Sequence, residues 1–213
     1  DHRDLHSFPT RRSSDLRSYG NTIKGIGGGQ FFSHGCHYID IMLWFLGKPV
    51  SGFHAGTNLG TPWMEREGTS NAVMTFESGA MGYHFGTWGA LGSSQGYCFQ
   101  IHCTKGLLEY KRATGKIILY RNENSDMPAI GEKLEDRIVT LWENDDITKK
   151  TQFEIRHFID CIKNDKQPLT DGPGSLQGLR VIWRMYEAER SGDIADLRGC
   201  GLDDPWEALN PVV

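Results

Sequence analysis

The chain of 213 residues lacks the features that tie proteins to membranes or to nucleic acid. No apolar run approaches the roughly 20 residues of a membrane-spanning helix. The sequence has no block of basic residues, and its formal net charge of −4 gives no electrostatic basis for binding nucleic acid or an anionic membrane. Internal repeats and low-complexity tracts are also missing. We therefore expect neither nucleic acid nor a membrane among its partners.

The sequence contains few cysteines, and their number is odd. The five cysteines include no C-x-x-C pair, which argues against a disulfide framework and against a structural zinc site. Scattered free thiols are typical of proteins in a reducing compartment. We therefore expect a cytoplasmic protein without a metal site.

The first sixteen residues show neither helical nor strand periodicity. In one reading frame they match the conceptual translation of a common sequencing adapter. Segments of foreign origin have to be excluded before the fold is considered. We expect residues 1–16 to be an adapter-derived artefact and residues 17–213 to be the protein's own domain, with the natural N-terminal part missing.

Strand patterns fill the middle of the chain, and helical patterns flank them. Alternation in residues 70–77 and 80–88, joined by Ser78-Gly79, predicts a β-hairpin. Further short strands are expected at residues 50–56, 97–103, 107–110, 116–120 and 136–143. Helices are expected at residues 33–46, 152–164 and 175–189, capped by Ser33, Thr151 and Ser175. The order predicts an α+β fold, with a largely antiparallel open β-sheet whose helices cover one face.

The stretch from Gly27 to Gly47 concentrates the residues that could do chemistry. Three glycines allow close backbone approaches, although they do not complete a G-x-G-x-x-G fingerprint. Cys36, Ile39, Leu43 and Leu46 then recur at helical spacing and predict a buried stripe.

His37 and Asp40 lie one helical turn apart near the start of that helix. A neutral histidine near a helix N-terminus can act as a base, and a satisfied core histidine is the alternative. Metal binding by His34, His37 and Asp40 is disfavoured, because this spacing spreads the ligands around the helix. His84 and Trp88 share a strand face that lines either a carbohydrate pocket or the core.

The motif G-G-G-x-x-x-x-x-G-x-H-x-x-D, followed by Trp44 and Leu46-Gly47, resembles the C-terminal domain of the Gfo/Idh/MocA oxidoreductases. The hairpin at residues 72–80, the turn at residues 102–107 and the late helices follow in the family's order. The resemblance extends from residue 17 to about residue 197. It implies an NAD(P)-dependent enzyme that moves hydride to or from a sugar or polyol hydroxyl, with an N-terminal Rossmann domain that binds most of the NAD or NADP.

The resemblance also implies roles for particular residues. His37 would be catalytic, because it helps to move the hydroxyl proton. Substrate contacts would come from Ser33, His34, Asp40, His84 and Trp88, and cofactor contacts from Gly28 and Gly29. Typical catalytic members carry an aspartate where this chain has Ser33, and serine cannot hold a charge beside His37.

That departure keeps a second hypothesis open, namely a non-catalytic sugar-binding or assembly protein on the same fold. An open antiparallel sheet commonly buries its uncovered face against a partner subunit. We therefore expect a homo-oligomer formed through the open sheet face. The fragment alone is expected to be inactive as a dehydrogenase.

Overall fold

The structure is a computed structural model that describes residues 28–90, 96–121, 137–144 and 150–201. The described residues fall into two compact units. The first unit contains residues 28–90 and 163–201, and the second contains residues 96–121, 137–144 and 150–162. Every strand pair is antiparallel, so the predicted α+β class is confirmed. The adapter-like residues 1–16 lie outside the described residues.

The first unit is a four-stranded sheet with helices on one face. A π-helical turn runs directly into the first α-helix. The elements are the π-turn Phe31–Gly35, α1 Cys36–Leu46, β1 Pro49–Thr57, β2 Thr69–Phe76, β3 Met81–Thr87, and, after the second unit, the last helix Gly172–Ser191 and β8 Ala195–Asp196. The strands pair in the order β3-β2-β1-β8.

The core of this unit lies between the sheet and its helices. The stripe predicted on α1 is confirmed, since Ile39 and Leu43 are fully buried while Cys36 and Leu46 pack against the core. The last helix contributes three fully buried side chains to the same layer, from Val181, Ile182 and Met185. Burial of this apolar surface fixes α1 over the sheet, and Gly47 ends the helix with a φ of +81°.

The second unit contains the other four strands and one helix. Its strands β4 Cys98–Cys103, β5 Gly106–Lys111, β6 Lys116–Arg121 and β7 Ile138–Glu143 pair in that order, and α2 Thr151–Asn164 follows them. The sequence predicted these strands, but as parts of a single sheet rather than of a separate one. Nowhere among the described residues is there a helix long and apolar enough to cross a membrane.

The last helix begins earlier than the sequence pattern predicts. This helix, α3 Gly172–Ser191, has Asp171 as its N-cap, and the Asp171 carboxylate accepts a hydrogen bond from the Gly174 N–H at 2.7 Å. The predicted cap at Ser175 is therefore wrong, since Ser175 lies in the first turn. Pro173 explains the difference, because its fixed φ suits a first helical turn and it has no N–H to satisfy.

Candidate functional site

The π-turn carries the first of the predicted site residues. Ser33 is exposed inside this turn, and its N–H donates to the Gly29 carbonyl at 3.0 Å. Ser33 is thus already within the helical hydrogen-bond ladder, and the prediction that it caps the helix is wrong. Short π-helical segments are often found at functional sites, because the extra residue redirects the side chains that follow.

The N–H groups at the start of the turn are satisfied by residues far away in the sequence. Gln30 N–H donates to the Glu67 carbonyl at 2.8 Å, and Phe31 N–H donates to Glu67 Oε1 at 3.0 Å. The Tyr186 hydroxyl accepts from the N–H groups of Gly29 at 3.2 Å and Phe32 at 3.3 Å. A helix normally leaves its first N–H groups without intrahelical partners, and here two remote residues supply the acceptors, Tyr186 through its hydroxyl and Glu67 through its carboxylate and its backbone carbonyl.

Glu67 and Tyr186 are also bonded to each other. The Tyr186 hydroxyl donates to Glu67 Oε1 at 2.6 Å, and both side chains are buried. Burial, and then the neighbouring Glu67 charge, raises the pKa of Tyr186 well above its usual range. The tyrosine therefore keeps its proton, and its O–H donates a hydrogen bond to the carboxylate. Sequence reasoning missed both residues, because no local motif marks them.

Gly29 lies where the turn approaches Glu67 most closely. It is buried, and a Cβ added to it would overlap the Glu67 carbonyl oxygen. A Cβ added at Gly28 would overlap Phe32 in the same way. The packing of the turn therefore requires both glycines. Contact of Gly28 and Gly29 with a cofactor stays a prediction.

His37 is exposed in the first turn of α1, and Asp40 follows one turn later, half-buried. Burial raises the pKa of the Asp40 carboxyl, and the charge of His37 opposes this effect. The structure thus places an accessible imidazole directly after the π-turn, with a partly desolvated carboxyl beside it. This arrangement can accept a proton from a hydroxyl bound at the surface of the turn.

His34 and Trp88 meet beside the turn. Their ring centroids are 5.3 Å apart with the planes nearly perpendicular. Trp88 follows β3, and its backbone N–H donates to the Gly68 carbonyl at 2.8 Å. The structure therefore brings two of the predicted substrate-binding residues together, next to exposed Ser33. An aromatic side chain beside polar groups is suited to packing against a sugar ring.

His84 lies beneath the turn, and only 5% of it is exposed. Its ring centroid is 5.6 Å from that of Phe31 and 5.9 Å from that of Tyr38. Burial, with a smaller contribution from the charge of His54, lowers the pKa of His84 to about 4. His84 is therefore neutral near neutral pH, and substrate contact by this buried ring stays a prediction.

His54 is a second buried imidazole that sequence reasoning missed. Strand register aligns His54, Ala72 and His84 in one row across β1, β2 and β3. The His54 ring stacks on Phe31 at 4.4 Å, and His54 Nδ1 lies 2.9 Å from Glu189 Oε2. The period-two pattern of β1 could have placed His54 on the inward face. Its partner Glu189 is 135 residues away and could not have been found.

The described ranges contain no cluster of three or more histidine, cysteine or carboxylate side chains close enough to hold a metal ion. His34, His37 and Asp40 accordingly form no such cluster. The chemistry that the arrangement offers is proton transfer at His37, beside a surface formed by the π-turn and Trp88.

Residues 5–109 match the family model for the GFO/IDH/MocA C-terminal domain. This part of the chain is a Gfo/Idh/MocA C-terminal domain. The match includes Gly28 and Gly29, the π-turn, α1 and the hairpin of β2 and β3. Among curated proteins, no sequence matches the chain.

Solved structures share the fold of this Gfo/Idh/MocA domain. The WlbA dehydrogenase from Bordetella pertussis, in complex with NADH and UDP-GlcNAcA, is 22% identical with a TM-score of 0.66; the match covers 88% of this chain and 53% of that chain. The WlbA dehydrogenase from Chromobacterium violaceum, with the same two ligands, is 22% identical with a TM-score of 0.59 and coverages of 81% and 47%.

A third solved structure is the aldose-aldose oxidoreductase from Caulobacter crescentus, complexed with glycerol. It is 20% identical with a TM-score of 0.62, and the match covers 80% of this chain and 48% of that chain. The chain thus spans about half the length of the structures it matches. At these identities the likeness establishes the fold.

Proposed function

We propose that this chain is the substrate-binding half of an NAD(P)-dependent oxidoreductase that acts on a sugar or polyol hydroxyl. The observation that carries the proposal is the exposed His37 imidazole in the first turn of α1, directly after the π-turn. The Gfo/Idh/MocA match and the sugar-type ligands named for two of the solved relatives support it.

The start of the helical stretch in this chain is better suited to binding the substrate than to binding the phosphates of a dinucleotide. The N–H groups of Gly29, Gln30, Phe31 and Phe32 already donate to Glu67 and Tyr186, so the helix N-terminus has no free donors for a phosphate. We therefore assign cofactor binding chiefly to an N-terminal Rossmann domain in the whole protein. In the natural protein that domain would precede residue 17, where this chain carries the adapter-like segment.

In the proposed reaction, His37 accepts the proton of the substrate hydroxyl while the carbon that bears it loses a hydride. A bound NAD(P)⁺ would supply the acceptor for that hydride. Both hydrogens of the alcohol are thus accounted for, and the alcohol carbon becomes a carbonyl. Trp88 and His34 form the neighbouring surface that orients the sugar ring. Ser33 offers the substrate a neutral hydroxyl at the position where typical catalytic members of the family carry an aspartate.

A substitution of His37 tests the role of the imidazole. Because His37 is exposed, His37→Ala is expected to leave the fold intact. Loss of a general base commonly lowers the rate about 100-fold or more. The assay is sugar-dependent NAD(P)H formation by the full-length enzyme, and His102→Ala, which removes an exposed histidine on β4, is the matched control. Equal turnover by both variants would remove His37 from the mechanism.

The uncovered face of the first sheet favours assembly with a second copy of this chain. Its outward side chains include Phe53, Tyr83 and Phe85, which are 54%, 63% and 54% exposed. None of the outward positions on β1, β2 and β3 carries a charge; they are Ser51, Phe53, Ala55, Thr57, Thr69, Asn71, Val73, Thr75, Met81, Tyr83, Phe85 and Thr87. A neutral, partly apolar face can pack on its own copy without unpaired charges.

The same face supports the second candidate function, a non-catalytic sugar-binding or assembly protein. Light scattering on the chain and on Phe53→Glu measures assembly, since a charge at the centre of the face should convert a dimer to a monomer. A monomeric wild-type chain would contradict the assembly proposal. Sugar binding without turnover by the full-length wild type would favour the second function over the first.

A further inference from the structure

We propose that Glu67 and Tyr186 are positioning residues that fix the start of the His37 helix relative to Trp88. This inference rests on the proposed function only in taking His37 as the reacting group. It assigns a task to a buried pair of residues whose side chains are hydrogen-bonded to each other and to the backbone of residues 29, 31 and 32. The observation behind it is that these two residues hold four successive backbone N–H groups, from Gly29 to Phe32. The Tyr186 hydroxyl accepts from Gly29 and Phe32, the Glu67 carboxylate accepts from Phe31, and the Glu67 backbone carbonyl accepts from Gln30.

The Tyr186 hydroxyl uses its whole hydrogen-bonding capacity in this arrangement. A phenolic hydroxyl has one donor and can accept two hydrogen bonds. Tyr186 donates to Glu67 and accepts from Gly29 and Phe32. Its ring also packs edge-on against Phe31, with centroids 5.8 Å apart. The tyrosine is therefore held in one orientation, and through it α3 is bonded to the π-turn.

Glu67 connects the same turn to the ends of two strands. The next residue, Gly68, donates its N–H to the Thr57 carbonyl at 3.2 Å and accepts from the Trp88 N–H at 2.8 Å. Thr57 ends β1, and Trp88 follows β3. The dipeptide Glu67-Gly68 thus links the helix start to the strand that positions Trp88. This link sets the distance between the surface of the turn and the tryptophan.

The carboxylate adds an electrostatic contribution to this link. A negative charge at a helix N-terminus is favourable, and hydrogen bonds to a charged acceptor are stronger than neutral ones. Because Glu67 is only 7% exposed, solvent cannot replace these bonds if they are lost. Removal of either partner should release the turn without removing any side chain from the surface where the substrate would bind.

Hydrogen exchange on this chain tests the link without any need for activity. Tyr186→Phe removes the acceptor of the buried Gly29 N–H and of the part-buried Phe32 N–H. Exchange in residues 29–33 is therefore expected to rise about tenfold more than in residues 39–46. Tyr83→Phe is the matched control, because it removes an exposed hydroxyl that donates to Asn71 Oδ1 at 2.7 Å. An even rise in both segments would show a general loss of stability and would overturn the inference.

Two substitutions of Glu67 provide a rescue test. Glu67→Gln keeps an oxygen that can accept from Phe31 N–H and the Tyr186 hydroxyl, whereas Glu67→Ala removes it. Protection of residues 29–33 is therefore expected to be lost in Glu67→Ala and largely retained in Glu67→Gln. Equal protection in these two variants would overturn the inference.

Turnover by the full-length enzyme measures positioning directly. A displaced base lowers the rate of the chemical step, so Tyr186→Phe is expected to lower kcat about tenfold or more while KM for the sugar changes less than about twofold. Selective loss of protection with an unchanged kcat would overturn the positioning role. If the wild type has no turnover, the proposed function fails, and the exchange experiments still decide whether the pair fixes the helix start.

Discussion

The buried His84 should make the folded chain sensitive to mild acid. Burial lowers its pKa from 6.5 to about 4, so between these values the unfolded chain binds a proton that the folded chain does not. Stability must then fall as the pH drops through this window. The part of the folding stability that depends on a neutral His84 is fully present above pH 6.5 and is lost as the pH approaches 4.

The size of the effect follows from the shift. Each unit of pKa corresponds to about 1.4 kcal/mol, so the shift of His84 corresponds to a loss of about 3 kcal/mol between neutral pH and pH 4. The structure explains why the charge is unfavourable there, since the imidazole lies against the rings of Phe31 and Tyr38, with His54 in the same row of the sheet. A loss of this size is a large fraction of the stability of a typical domain.

Urea unfolding at a series of pH values between 7 and 4 measures this loss. The wild type is expected to lose about 3 kcal/mol more than His84→Asn over this range, whereas His102→Asn, at an exposed position, should follow the wild type. NMR titration of His84 in the unmodified chain checks the same point without a substitution. A midpoint near 6.5, or equal acid loss in wild type and His84→Asn, would refute the reasoning.

Two further predictions concern packing and capping. In Gly86→Ala the new Cβ would overlap the Gln30 side chain, whose Oε1 accepts from the buried Ser70 hydroxyl at 2.5 Å; a loss of about 1–3 kcal/mol is expected in urea unfolding, and Gly172→Ala, with nothing within 4 Å of the added atom, should be nearly neutral. Asp171→Ala should cost about 1 kcal/mol through loss of the α3 cap, and Ser175→Ala much less; an equal effect of the two in thermal unfolding would contradict the assigned cap.

Local patterns in the sequence predicted most of the secondary structure and the fold class. The alternation around Ser78-Gly79 predicted a hairpin, which the structure forms from Thr69–Phe76 and Met81–Thr87. The apolar spacing of α1 likewise predicted which of its side chains are buried. Both signals are properties of neighbouring residues, and burial against a sheet leaves the same periodicity whatever the partner is.

The start of the helical stretch that contains the π-turn and α1 could not be predicted in this way. Ser33 has the residue type of an N-cap, but the helical stretch begins before it, with the π-turn at Phe31, because Glu67 and Tyr186 accept from the first N–H groups of that turn. These acceptors are 36 and 154 residues from the N–H groups concerned, so only the folded structure brings them together. The π-turn depends on the same long-range packing, and so does the contact of the buried His54 with Glu189, 135 residues away.

The central claim is that a hydride leaves the sugar carbon while His37 takes the hydroxyl proton. Its most direct test uses the full-length enzyme, NAD(P)⁺ and a sugar deuterated at the reacting carbon. The account predicts that deuterium appears on the reduced nicotinamide with the wild type, and that the transfer rate falls about 100-fold or more with His37→Ala. Binding of the deuterated sugar without any transfer of deuterium would contradict the account.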